Sequence, residues 1–139
     1  MFTGINVNET KKITLKCDPD KDNPTYFTVG VLDGSVVSYI NDATAAYTAD
    51  EIQGEPRLKI DVARRLRLYV KFGLRGIENF KDPVSGSLVA FETETVHIEG
   101  KPYPVVKREI LDILPQDAIK ELAGIILGNT HLSEEEEKN

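Results

Sequence analysis

From Arg65 to Arg75 the chain alternates without a break, with Leu66, Leu68, Val70, Phe72 and Leu74 on one side and Arg65, Arg67, Tyr69, Lys71 and Arg75 on the other. Successive side chains of a strand point to opposite faces, so this run predicts a long strand with one buried face. A helix through Val62, Leu66, Tyr69 and Gly73 is the alternative reading, but it would leave Leu68 and Phe72 on wetter faces. The strand is preferred here, while residues 57–66 stay open between helix and strand.

The neighbouring segments fit a sheet. "KKITLKC" (11–17) alternates with Ile13 and Leu15 inward, "DPDKDNP" (18–24) is a cluster of turn formers, and "TYFTVGVLD" (25–33) is β-branched and aromatic. Together they predict a hairpin. In residues 34–47, Val36, Val37, Ile40, Ala43 and Tyr47 fall near helical spacing, with Ser35 as the expected cap. Residues 48–57 read as a polar loop containing Gly and Pro. "KDPVSG" (81–86) turns the chain, with Leu74, Ile77 and Phe80 expected inside and Asn79, Asp82 and Gly86 forming the bend. Residues 87–98 then read as a strand and "EGKP" (99–102) as another turn.

The last third reads as helical. Residues 104–114 carry room for one short helix, and Pro115 suits the first turn of the next, with Gln116 and Asp117 beside its positive end. Ala118, Ile119, Leu122, Ile125 and Ile126 make an apolar stripe at spacings of three and four, and Gly128 and Asn129 are stop signals. Ser133 and Glu136 stand at capping-box spacing. The expected architecture is α+β: a small, mostly antiparallel sheet with a C-terminal helix packed on it. It forms a single domain over 1–132, followed by an acidic tail, 133–139.

Charge is unevenly spread. Between Arg57 and Lys81 eight basic residues face two acids, net +6, which leaves −12 on the rest of a chain whose total is −6. An acidic chain is a poor general nucleic-acid binder. The Arg65–Arg75 face offers only Tyr69 for stacking a base, so protein–protein contact is the better reading of that face. No apolar run reaches the roughly 18–20 residues that cross a bilayer, so no membrane partner is expected. The lone Cys17 excludes an internal disulfide and a cysteine zinc cluster.

Catalytic chemistry is thinly represented. Asp18, Asp20 and Asp22 match the start of an EF-hand loop, but Asn23 and Val29 occupy the positions that need Gly and a bidentate Glu. His97 and His131 are the only histidines, and no elbow, phosphate-cradling or H-E-x-x-H motif is present. Glu92 and Glu94 share a strand face and read as solvated. The expectation is a non-enzymatic protein without cofactor or metal.

Three stretches carry a family resemblance: "VKFGLRGIENFKDPVSGSLVAFETE" (70–94), "ILDILPQDAIKELAGIILGNTHLSEEEEKN" (110–139) and, more loosely, "DKDNPTYFTVGVLDG" (20–34). The chain resembles small morphogenesis proteins of tailed bacteriophages, of the tail-assembly-chaperone-like kind, although Ile77 stands where such proteins often place Trp. The resemblance implies a tail or neck assembly protein, in the bacterial host cytoplasm or the virion, that binds other tail proteins such as the tape-measure protein. Self-association into a homo-oligomer fits the polarised charge. The residues expected to meet a partner are Arg65, Arg67, Tyr69, Lys71 and Arg75, with Glu134, Glu135, Glu136 and Glu137 of the acidic end as a counterpart. The alternative is a phage-encoded regulator or host-defence inhibitor that uses its acidic surface.

Overall fold

A computed structural model describes the backbone of residues 1–49 and 56–138 and the side chains of residues 1–46 and 57–130. The fold is α+β. Strands β1 (Thr10–Ile13) and β2 (Tyr26–Gly30) form the expected antiparallel hairpin, with Ile13 opposite Phe27. Its connecting loop is closed by its own aspartates: Asp18 Oδ1 and Oδ2 accept from the N–H groups of Asp20 (3.0 Å) and Thr25 (2.8 Å), and Asp20 Oδ1 accepts from Asn23 N–H (3.0 Å). Helix α1 (Gly34–Thr44) follows, capped by Asp33 rather than the expected Ser35, because Asp33 Oδ1 accepts from Val36 N–H at 2.9 Å.

Beyond α1, strands β3 (Ala45–Ala49) and β4 (Pro56–Ile60) pair antiparallel as a separate two-stranded ribbon. The loop expected over 48–57 therefore shrinks, since residues 48, 49, 56 and 57 are strand and residues 50–55 lie outside the described part. Then comes the main correction. Residues Val62–Gly73 form helix α2, not a strand. Asp61 caps it, accepting from Arg64 N–H at 3.1 Å, and Leu, Arg and Lys are good helix formers. The alternation misleads because α2 is covered on more than one side. The helix packs on helix α4 (Gln116–Lys138), where Gly73 meets Ile126, and on α1 and strand β7 (Lys101–Val106), while Phe72 is buried edge-on between Tyr39 and Tyr103.

Strand β5 (Leu74–Glu78) leaves α2 directly and joins the other edge of β2, giving a sheet in the order β1-β2-β5. The bend after it is built as expected. Leu74 and Ile77 are buried and Phe80 packs half-buried against them. Asn79 takes a φ of 61°, held by Nδ2 donating to Asn23 Oδ1 (2.9 Å) and to Pro24 O (3.0 Å). Asp82 Oδ1 accepts from the N–H groups of Val84 and Ser85, and Gly86 (φ 73°) completes the turn. The strand expected over 87–98 is shorter, β6 (Thr93–Ile98). It pairs across the Glu99-Gly100 turn with β7 (Lys101–Val106), which the sequence reading did not anticipate.

Short helix α3 (Arg108–Ile113) leads to α4, whose first intrahelical bond runs from Ile119 N–H to Pro115 O. Ala118, Ile119, Leu122 and Ile126 are buried as the stripe predicts, Ala123 joins them, and Ile125 is half-buried. They pack on α2 and on β2. The expected stop at Gly128 and Asn129 is not used: α4 runs through both and across residue 132, the boundary drawn for the acidic tail.

Candidate functional site

Because α2 is a helix, the polar strand face that would have gathered Arg65, Arg67, Tyr69, Lys71 and Arg75 does not form. Arg65 turns toward the end of α1, its Nε donating to Thr44 Oγ1 at 2.8 Å. Arg67 forms an ion pair with Asp112 of α3. Tyr69 is only 6% exposed and belongs to the core. Lys71 lies half-buried in the last turn of α2, and Arg75 sits on β5. Glu134, Glu135, Glu136 and Glu137 lie on the α4 backbone, with side chains outside the described residues.

The structure draws attention instead to the β3–β4 ribbon. It is rooted by Asp61 N–H donating to Thr44 O (2.8 Å), Arg64 Nη1 donating to Ala43 O (3.0 Å), and the Arg65–Thr44 bond. Thr44 Oγ1 in turn donates back to Ile40 O at 2.7 Å, which locks the end of α1. Past that root, Leu58 and Ile60 point to one face of β4 at 53% and 44% exposure, and Val62, the first residue of α2, is 60% exposed. Lys59, also exposed, occupies the opposite face. Among the described residues neither strand of the ribbon pairs with a third. A two-stranded ribbon is at best marginally stable alone, and its unpaired edges are templates for another strand. The sequence signal was present in the alternation of Leu58 and Ile60, masked by the Gly and Pro nearby.

A second constellation centres on Asp33. Its Oδ2 accepts from Tyr103 Oη at 2.8 Å and lies 3.5 Å from Lys101 Nζ, while its Oδ1 caps α1. Burial raises the Asp33 pKa, but Val36 N–H, Tyr103 and Lys101 together outweigh it and hold the carboxyl below its usual range. Beside it, burial lowers the Arg75 pKa and the Asp33 charge partly restores it. Sequence reasoning could not assemble this group, whose members come from the β2–α1 link, β5 and β7.

Elsewhere the chemistry is structural. Glu121 of α4 accepts from two consecutive backbone N–H groups, those of Lys16 (2.6 Å) and Cys17 (3.0 Å). Desolvation and then Glu121 push the Cys17 thiol up, which is the reverse of what a thiolate nucleophile needs. Among the described residues no three His, Cys, Asp or Glu side chains are grouped to hold a metal ion, and no helix is long and apolar enough to cross a membrane. Compared with family models, curated proteins and solved structures, the chain matches none of them.

Proposed function

We propose that this chain is a non-enzymatic assembly protein of a phage tail or neck, acting by protein–protein contact through its β3–β4 arm. The observation that carries the reading is the arm itself: two strands that pair with no third among the described residues, with Leu58 and Ile60 exposed on one face and Val62 exposed just beyond. Exposed apolar side chains beside unpaired strand edges mark an interaction site. The occupant proposed for the arm is a second copy of the chain. Strand β4 brings Arg57 and Lys59 to the arm at the start of the segment of net +6, and every copy also carries the complementary −12. A contact between unlike surfaces closes into a ring or continues as a stack, the geometry a tail or neck requires. The resemblance to tail-assembly-chaperone-like proteins supports the same reading and adds the tape-measure protein as a further partner.

Sedimentation velocity at low and high salt, alone and with a tape-measure fragment, tests the proposal. Association that weakens as salt rises is expected. A strict monomer that ignores the fragment under both conditions overturns it and favours an inhibitor working through its acidic surface.

A further inference from the structure

A cleft of about 340 Å³ opens between the N-terminal segment, the β2–α1 link and β7. Its polar end is formed by Arg75, Lys101, Tyr103 and Asp33, and its apolar wall by residues that include Val31, Leu32, Val36, Phe72 and Pro104. The volume is at the low end of small-molecule sites, which run from roughly 300 to 1,000 Å³.

Arg75 is the unusual member. Its side chain lies across Gly30 of β2 so closely that a β-carbon there would stand 2.6 Å from Arg75 Nε. The absent side chain at Gly30 is what lets the guanidinium lie flat against the strand, half-buried. In that position it makes no hydrogen bond or ion pair among the described residues. Burial strips the guanidinium of part of its hydration and the Asp33 charge only partly offsets the loss, so a ligand that accepts from it gains more than at an open surface. Lys101 borders the same space, its Nζ 5.1 Å from the Tyr103 ring centre and 3.5 Å from Asp33 Oδ2. Asp33, in contrast, is fully engaged by Tyr103, Lys101 and the α1 cap.

We propose that this cleft binds a monocarboxylate carried on an apolar body. Two cations against one carboxylate leave a single positive charge, which a monoanion balances, whereas a phosphate dianion would overshoot and meet Asp33. The planar guanidinium fork accepts a carboxylate through paired hydrogen bonds. The valine, leucine, phenylalanine and proline wall takes the aliphatic or aromatic remainder. The carboxylate belongs either to a free organic acid or to the C-terminus of a polypeptide, and the same fork recognises both. This site is separate from the β3–β4 arm and stands whether or not the arm associates.

The test is titration of the intact protein followed by amide NMR shifts, with two matched pairs of probes: 3-phenylpropionate against 3-phenylpropanamide, and N-acetyl-Gly-Gly-Phe as free acid against its C-terminal amide. Saturable binding of an acid is expected, with shifts at Leu32, Phe72, Arg75 and Tyr103, and binding of the matching amide weaker by about tenfold or more, the scale of one charge-assisted contact. Tighter binding of the peptide acid assigns the site to a polypeptide terminus, and tighter binding of phenylpropionate to a small acid. Arg75→Gln should remove the preference for acid over amide, and the exposed Lys101→Gln should reduce it several-fold. The acid-versus-amide comparison on the unaltered protein needs no variant to fold. Equal affinity for acid and amide, shifts that map outside the cleft, or no saturable binding of either acid at millimolar concentration would overturn the proposal.

Discussion

Ile126 of α4 closes on Gly73 of α2 so tightly that a β-carbon at Gly73 would stand 2.6 Å from Ile126 Cγ2 and 2.7 Å from its Cδ1. The two helices meet here because neither residue leaves a gap: Ile126 is fully buried, and Gly73 ends α2 where the chain enters β5. Core atoms packed at this density have no free volume to receive a methyl group.

Gly73→Ala should therefore destabilise the fold by about 1–3 kcal/mol, the usual cost of overpacking. Ile126→Ala alone should cost about 2–5 kcal/mol through the cavity it leaves. The double variant should be less damaged than the sum of the two, because the alanine methyl at 73 enters space that Ile126 vacated. Urea unfolding of all four proteins checks this, and strictly additive losses would contradict the contact.

Leu122, fully buried one turn before Ile126, is the residue that decides whether the apolar stripe of α4 is core or docking surface. Leu122→Ala should lower stability by about 2–5 kcal/mol. An unchanged thermal midpoint would mean that the stripe is not packed as described.

How far the sequence announced these contacts depends on how many faces of an element are covered. The α4 stripe was legible because one face is buried and its period is clean from Ala118 to Ile126. Helix α2 was not, because Phe72 fills a second interface, against Tyr39 and Tyr103, that a one-sided pattern does not allow for. Strand β7 was hidden by Pro102 and Pro104. They stand at alternate positions, so both point their missing N–H to the same edge, away from β6, and the ribbon tolerates them. The turn from Asp82 to Gly86 is legible because local side-chain-to-backbone bonds make it, whereas Asn79 is held from afar by Asn23 and Pro24. The Arg75 cleft draws on segments far apart in sequence, and periodicity carries no information about it.

Glu121 predicts a pH dependence. Burial raises its pKa, but the N–H groups of Lys16 and Cys17 outweigh that and set the folded value below the ordinary glutamate value of 4.5. A group with a depressed folded pKa stabilises above its unfolded pKa and loses that contribution as pH falls through the folded value. Glu121→Gln should thus be less stable than the parent near neutrality by about 1 kcal/mol, since the carboxylate is partly exposed and screened. The gap should narrow as pH drops below about 4.5. Thermal midpoints across the acid range test it, and a gap independent of pH would remove Glu121 as the source.

The β3–β4 arm makes the sharpest prediction about assembly. Leu58 and Ile60 share its apolar face, while Lys59 between them points the other way. If apolar contact holds copies together and charge guides them, substitutions on the two faces should separate the effects. Leu58→Glu with Ile60→Glu should abolish self-association at every salt concentration, with a thermal midpoint close to the parent's because both side chains are already exposed. Lys59→Glu should weaken association chiefly at low salt, and its difference from the parent should fade as the Debye length shrinks to roughly 3 Å near 1 M. Arg67→Glu serves as the control. It breaks a solvent-exposed pair with Asp112 worth about 0–1 kcal/mol and should leave association intact. Sedimentation velocity across a salt series reads all four proteins. Association unaffected by the Leu58 and Ile60 changes, but lost with Arg67→Glu, would move the interface from the arm to the α2–α3 surface.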